Sequence, residues 1–255
     1  MLVSAKQGDL YCKLDFSFFY AIIFLSKNTK ESEMEERIFE GLKYLISYPK
    51  GFRESQKYPL VIFLHGAGTR SESTERLSQN ISLSNILQRQ DERGYILLAP
   101  LCSRGDWNEW MSTLLRLIET TRELPYVDKT RVHITGNSMG GYATWEISIL
   151  RPDWFASAMP VCGGGIGGFA KNLVGLPIRT FHGLCDKTVD PIESLQMAKA
   201  VNLAGGHAEL ILYPHLAHNC WTTVYSDDQN YDWLLSFTNE RENKTKETLS
   251  GDNYG

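Results

Sequence analysis

The chain has 255 residues, 42% of them hydrophobic and 22% charged, with a formal net charge of −4. This is ordinary globular usage for one domain with short appendages, large enough to bury a core without disulfides or a structural metal. It excludes a chain disordered throughout, a collagen and a polytopic membrane protein, and it carries no global electrostatic footprint for nucleic acid or an anionic membrane.

Residues 16–25, FSFFYAIIFL, form an apolar run too short to span a bilayer. Lys6 and Lys13 precede it, but so do Asp9 and Asp15, and no small-x-small cleavage site follows, so it makes a poor signal peptide while leaving secretion open. Met34 opens a sequence that behaves like a domain start. Residues 1–35 are therefore expected to be an extension, 36–238 the domain, and 239–255 a polar, frayed tail.

Ile38-Phe39 and Leu42–Tyr48 flank Glu40-Gly41 and predict a hairpin. Six β-type runs follow: Leu60–Leu64, Tyr95–Ala99, Arg131–Thr135, Ala156–Val161, Ile178–His182 and Leu210–Tyr213. Mostly continuous apolar runs of this kind are buried on both faces. Segments of helical spacing lie between and after them, at Leu83–Gln90, Trp110–Leu124, Tyr142–Leu150, Ile192–Leu203 and Tyr231–Phe237. The alternation predicts an α/β fold: a mostly parallel sheet with helices on both faces, an antiparallel start and no large cap.

Gly136-Asn137-Ser138-Met139-Gly140 matches G-x-S-x-G where the strand RVHIT meets a helix, which is the context of a nucleophile elbow. Glycine neighbours let the chain turn tightly, and the helix N-terminus favours a developing negative charge. A serine needs a base, and the base an orienting acid, in the chain order Ser, acid, His. Asp186 follows the fifth apolar strand and is the preferred acid. Its rival Asp190 precedes Pro191 and suits a helix cap. His207, His215 and His218 follow the acid. His207 lies at the wrong end of the sheet, and His218 is preferred to His215 because it sits deeper in its loop. His65, His133 and His182 come before the acid and are expected to be structural. For an oxyanion hole the Met139 N–H is one donor and the Ala67 N–H the other, with Gly66 as alternative to Ala67.

LHGAG, GNSMGGYATW, HGLCDKTV and AHNCW, together with the hairpin, resemble the α/β-hydrolase superfamily over residues 36–238. More closely they resemble compact bacterial esterases of the feruloyl-esterase and predicted-peptidase type, relatives of the prolyl oligopeptidase catalytic domain. Relatives of that type have a glutamine where this chain has Leu101. The resemblance implies serine carboxylesterase chemistry with no metal or cofactor, Ser138 as nucleophile, Asp186 as acid and His218 as base.

The expected partner is a small-molecule or carbohydrate-linked ester, with neither nucleic acid nor membrane. Trp107, Trp221 and Gly66 are candidate substrate contacts, each tryptophan having ordinary packing as its alternative. GGGIGG at 163–168 reads as a mobile or close-approach loop at the same rim. A peptidase with the same triad and a non-catalytic module on the same fold are the competing readings. The five cysteines, Cys12, Cys102, Cys162, Cys185 and Cys220, are odd in number and form no C-x-x-C, which favours a reducing, cytoplasmic compartment over a disulfide framework.

Overall fold

The computed structural model describes residues 34–239, so the apolar run at 16–25, Cys12 and the tail beyond Asn239 lie outside the described residues. Two antiparallel strands open the sheet, β1 (Glu35–Phe39) and β2 (Leu42–Ser47). Glu40 and Gly41 between them have φ of 47° and 83°, the positive values that a two-residue hairpin turn needs. The first strand therefore takes in Glu35, which the sequence reading left in the extension.

Six parallel strands follow: β3 (Tyr58–Leu64), β4 (Ile96–Pro100), β5 (Val127–Asn137), β6 (Ser157–Val161), β7 (Ile178–Gly183) and β8 (Ala208–Tyr213). The sheet order is β1-β2-β4-β3-β5-β6-β7-β8, with β2 antiparallel to β4. The helices are α1 (Glu75–Ser78), α2 (Ile81–Gln88), α3 (Gln90–Arg93), α4 (Trp107–Arg122), α5 (Met139–Leu150), α6 (Ile192–Leu203), α7 (Trp221–Ser226) and α8 (Asp228–Leu235). None of the helices among the described residues is long and apolar enough to cross a membrane.

Alternation along β3 shows how both faces are buried. Leu60, Ile62 and Leu64 join the core cluster that includes residues of α4, α5 and α6. Val61 and Phe63 join the cluster that includes residues of α2, α7 and α8. A side-chain period of two turns one apolar run into two cores, which is why the sequence shows a continuous stretch rather than an alternating one.

Several boundaries differ from the expected ones for local reasons. Helix α4 begins at Trp107 because the Asp106 side chain accepts from the Asn108 N–H and caps it. Asn80 does the same for α2 through the Leu83 N–H. Strand β5 starts early, its polar end held by the pairing of Val127 with Tyr58. Asn239, expected to begin the tail, is buried; its N–H reaches Thr130 O at 2.7 Å and its amide reaches Asp153 O.

His65 and His133 are fully buried. Burial, with Arg70 near the first and Arg131 near the second, lowers them to about 4 and about 3. An unfolded histidine takes up a proton below about pH 6.5, whereas these rings stay neutral down to the lower values. The unfolded state then binds more protons, and stability is lost as pH falls from about 6.5 towards 4, on the order of 2 kcal/mol per ring. Urea denaturation between pH 7 and pH 4.5 should give a midpoint that falls steadily; a level midpoint refutes this.

Candidate active site

The loops after β3, β5, β7 and β8 meet at the C-terminal edge of the sheet. Ser138 occupies the turn from β5 into α5 with φ 56° and ψ −119°, a strained conformation for a residue with a side chain. Its N–H is fixed by Val161 O at 2.9 Å, and its carbonyl accepts the Tyr142 N–H at 3.0 Å. Close backbone approach makes the turn possible. A Cβ on Gly140 would lie 1.9 Å from Leu64 O, and one on Gly136 would lie 2.4 Å from Gly140 O.

Ser138 Oγ lies 2.8 Å from His218 Nε2, and His218 Nδ1 lies 2.7 Å from Asp186 Oδ2. The Asp186 side chain is fully buried, while that of His218 is 21% exposed. Burial alone would push the Asp186 carboxyl up. Hydrogen bonds from His218 and from the N–H groups of Val189 and Thr188 outweigh it and hold the group below its usual value. Asp190 instead accepts the Ile192 N–H at 2.9 Å from just before the N-cap Pro191 of α6, close to the capping role that the sequence suggested as its alternative. His215 is exposed in the loop after β8.

The acid and base loops are joined to each other. Leu184 N–H bonds Tyr213 O and Cys185 N–H bonds Leu216 O, both at 2.9 Å. Gly183 lies so close beneath that a Cβ there would meet Leu216 O at 2.3 Å.

Gly66 stands beside the serine, and Ala67 follows it in the chain. A Cβ on Gly66 would come within 3.4 Å of Ser138 Cβ. Ala67 opens a short 3-10 turn and Met139 opens α5, positions whose N–H groups have no acceptor within their own helix. His65 shapes this loop: Nε2 accepts the Cys102 N–H at 3.0 Å and Nδ1 donates to Gly66 O at 2.8 Å. Trp107 also contributes, its Nε1–H bonding His65 O at 3.1 Å.

Solved structures and curated proteins are similar to this chain in sequence and fold. A crystal structure of a thermostable esterase is 26% identical with a TM-score of 0.72, covering 82% of this chain and 63% of that one. The chain has the α/β-hydrolase fold. "Probable feruloyl esterase C" of Aspergillus terreus is 24% identical over 163 residues, 62% of this chain and 60% of the relative. Dipeptidyl-peptidase 5 of Porphyromonas gingivalis is 23% identical over 221 residues, 67% of this chain and 32% of the relative. The chain therefore spans less than two thirds of the length of either. No family model matches it.

Within this α/β-hydrolase fold, a cavity of about 700 Å³ runs from Met139 along one face of α5. Met139, Tyr142, Ala143, Glu146, Ile149 and Leu150 line it at the spacing of a single helix face. Trp107 lines it from α4 and Phe169 from the turn after β6. Trp221 is not among its lining residues; its ring packs edge-on against His218 with centroids 5.1 Å apart. Gly66 stands at the serine instead, and Leu101 is buried in the core. Glu146 was not apparent from motif reading, because only its place on the helix face marks it. Burial, then the charge of Asp106, raises its carboxyl.

The glycine run is a close-approach loop, since a Cβ on Gly163 would lie 2.5 Å from the Gly141 carbonyl carbon. Cys162 precedes it with φ 41°. One ligand atom each of Cys162, Asp186 and His218 lie within 4.8 Å of one another, close enough in space to hold a metal ion. The last two are already hydrogen-bonded together, and burial and the Cys220 thiol keep the Cys162 thiol protonated, a poor ligand form.

Replacing Gly140 by alanine puts a methyl group into Leu64 O, so Gly140→Ala should lose at least about 2 kcal/mol of stability or fail to fold. Gly68→Ala has open space around it and should stay within about 0.5 kcal/mol of wild type. Chemical denaturation of both variants checks the contrast.

Proposed function

We propose that the chain is a serine carboxylesterase with Ser138 as nucleophile, His218 as general base and acid, and Asp186 as the orienting carboxylate. The observation that carries this reading is the unbroken hydrogen-bonded line from Ser138 Oγ through His218 to Asp186, starting at a strained strand-to-helix turn. His218 Nε2 takes the serine proton as Oγ attacks the ester carbonyl. The N–H groups of Met139 and Ala67 stabilise the oxyanion. Alcohol leaves with the proton from His218, and water then hydrolyses the acyl-enzyme by the same route in reverse. Esterase likeness at 26% identity and a feruloyl-esterase relative support ester over amide as the bond attacked. The cavity along α5 is our candidate for the acyl or aryl arm. The four described cysteines are free thiols, which supports a cytoplasmic setting.

A second reading, peptide hydrolysis by the same triad, is favoured by the dipeptidyl-peptidase relative and the acylaminoacyl peptidase structures of similar fold. Assays of a 4-nitrophenyl ester series, methyl ferulate and a proline anilide, with wild type and Ser138→Ala side by side, separate the two. Ester turnover that falls by on the order of 10⁶ in Ser138→Ala is the expected result. Turnover of the anilide alone would make the peptidase the better reading, and equal rates for both proteins would remove Ser138 from the chemistry.

The cavity also predicts a charge preference. Glu146 lies eight residues along α5 from Ser138, about 12 Å of helix. Among the described residues no basic side chain lines the cavity, and Asp106 adds a second carboxylate. 4-Nitrophenyl octanoate should therefore exceed the 4-nitrophenyl monoester of suberic acid by about tenfold or more in kcat/KM. Glu146→Gln should narrow that ratio several-fold; an unchanged ratio would place the arm elsewhere.

A further inference from the structure

The Asp186 carboxylate has a second imidazole against it. His182 is fully buried at the end of β7, with Nε2 3.2 Å from Asp186 Oδ2, the oxygen that also bonds His218. Nε2 lies 3.0 Å from Val189 O as well. Both neighbours are acceptors, so Nε2 carries a hydrogen. Across the ring, Nδ1 lies 2.7 Å from Ser194 Oγ, which in turn lies 2.8 Å from Gly163 O. A carbonyl only accepts, and a serine hydroxyl has one hydrogen to give. With that hydrogen on Gly163 O, Ser194 Oγ bonds Nδ1 as an acceptor, so Nδ1 carries a hydrogen too.

His133 provides the contrast. Its Nδ1 lies 2.8 Å from Ser157 Oγ, which donates to Leu234 O at 2.8 Å, the same serine-to-carbonyl arrangement. Its Nε2, however, has no partner. A neutral ring with its hydrogen on Nδ1 satisfies every bond there. At His182 Nε2 faces two acceptors, and Nδ1 faces a hydroxyl whose own hydrogen is within reach of Gly163 O.

We propose that His182 is a positioning residue that stands doubly protonated behind Asp186, so that the carboxylate is clamped between two imidazoles. Its protonation is inferred from the Ser194 hydroxyl donating to Gly163 O; its effect on catalysis rests on the triad reading above. The N–H groups of Thr188 and Val189 take Oδ1, and the two rings share Oδ2. A buried carboxylate unaccompanied by a cation is costly, and the His182 imidazolium compensates it at a fixed place. The same charge opposes the imidazolium that His218 becomes, making His218 a more willing donor to the leaving alcohol. The other titratable groups around the pair are Glu193 at the start of α6, Cys162 after β6 and Tyr142 on α5. Burial keeps Cys162 and Tyr142 protonated, and Lys187 is exposed.

Nitrogen-15 NMR of the histidine-labelled full chain at pH 7.5 tests the protonation directly, with His182→Gln assigning the signals. Both His182 ring nitrogens should report as protonated. In Ser194→Ala, where Nδ1 loses its acceptor, one should. Ser194→Thr keeps a hydroxyl and should restore the pair. The acidic limb of the kcat/KM profile for 4-nitrophenyl butyrate should move up by about 0.5–1 pH unit in Ser194→Ala and His182→Gln, and return in Ser194→Thr. Loss of packing alone lowers the rate without moving the limb. A single protonated nitrogen at His182 overturns the proposal whether or not any ester is cleaved. An unmoved limb in both variants overturns the positioning role. Absence of any ester turnover sinks the esterase reading and leaves the NMR result to decide His182.

Discussion

The site depends on how closely backbones approach at one turn. Gly140 and Gly136 stand against Leu64 O where no Cβ fits, and that spacing lets β5 run into α5 with Ser138 lifted above the sheet edge. The same approach brings the loop after β3 against the serine, with Gly66 beside its Cβ. Two helical turns, opening at Ala67 and Met139, start in the loops on either side of this contact. Sheet register, glycine placement and the candidate oxyanion site are one constraint seen at three scales.

Polar burial around this turn is handled by shared acceptors. His65 spends one nitrogen on the Cys102 N–H and the other on Gly66 O, so it remains neutral while shaping the loop. Asp186 uses one oxygen for backbone N–H groups and the other for two imidazoles. A cavity with apolar walls and two carboxylates adjoins these groups, and its inner wall is the helix that starts just after Ser138.

Much of the fold was legible because it rests on apolar runs long enough to bury both faces, as at Leu60–Leu64 and Tyr95–Ala99. Ser138, Asp186 and His218 were legible because each lies just past a strand, and the structure brings them within hydrogen-bond distance. Tertiary pairing hid the rest. Val127–Arg131 is polar and becomes strand only by lying beside Tyr58. Trp221–Ser226 is rich in β-branched and aromatic residues yet forms helix α7, with Val224 and Tyr225 packed into the core. His182 read as a structural histidine, although its place four residues before Asp186, across a strand end, was a signal that the two could meet. Glu146 had no motif at all, since a single acid on an apolar helix face reads as surface until the neighbouring wall is known.

The stapling of the acid loop to the base loop divides the site mechanically. Bonds from Leu184 and Cys185 to the β8 loop, and the Gly183 contact beneath Leu216, tie Asp186 and His218 into one rigid piece. Ser138 rides on a different piece, the β5–α5 elbow. Any displacement of one piece against the other would therefore fall on the Ser–His gap rather than on the Asp–His contact. On the proposed mechanism that gap is the one a proton crosses, and the one that opens when an acyl group occupies the serine. The architecture places its compliance at the only joint that needs it.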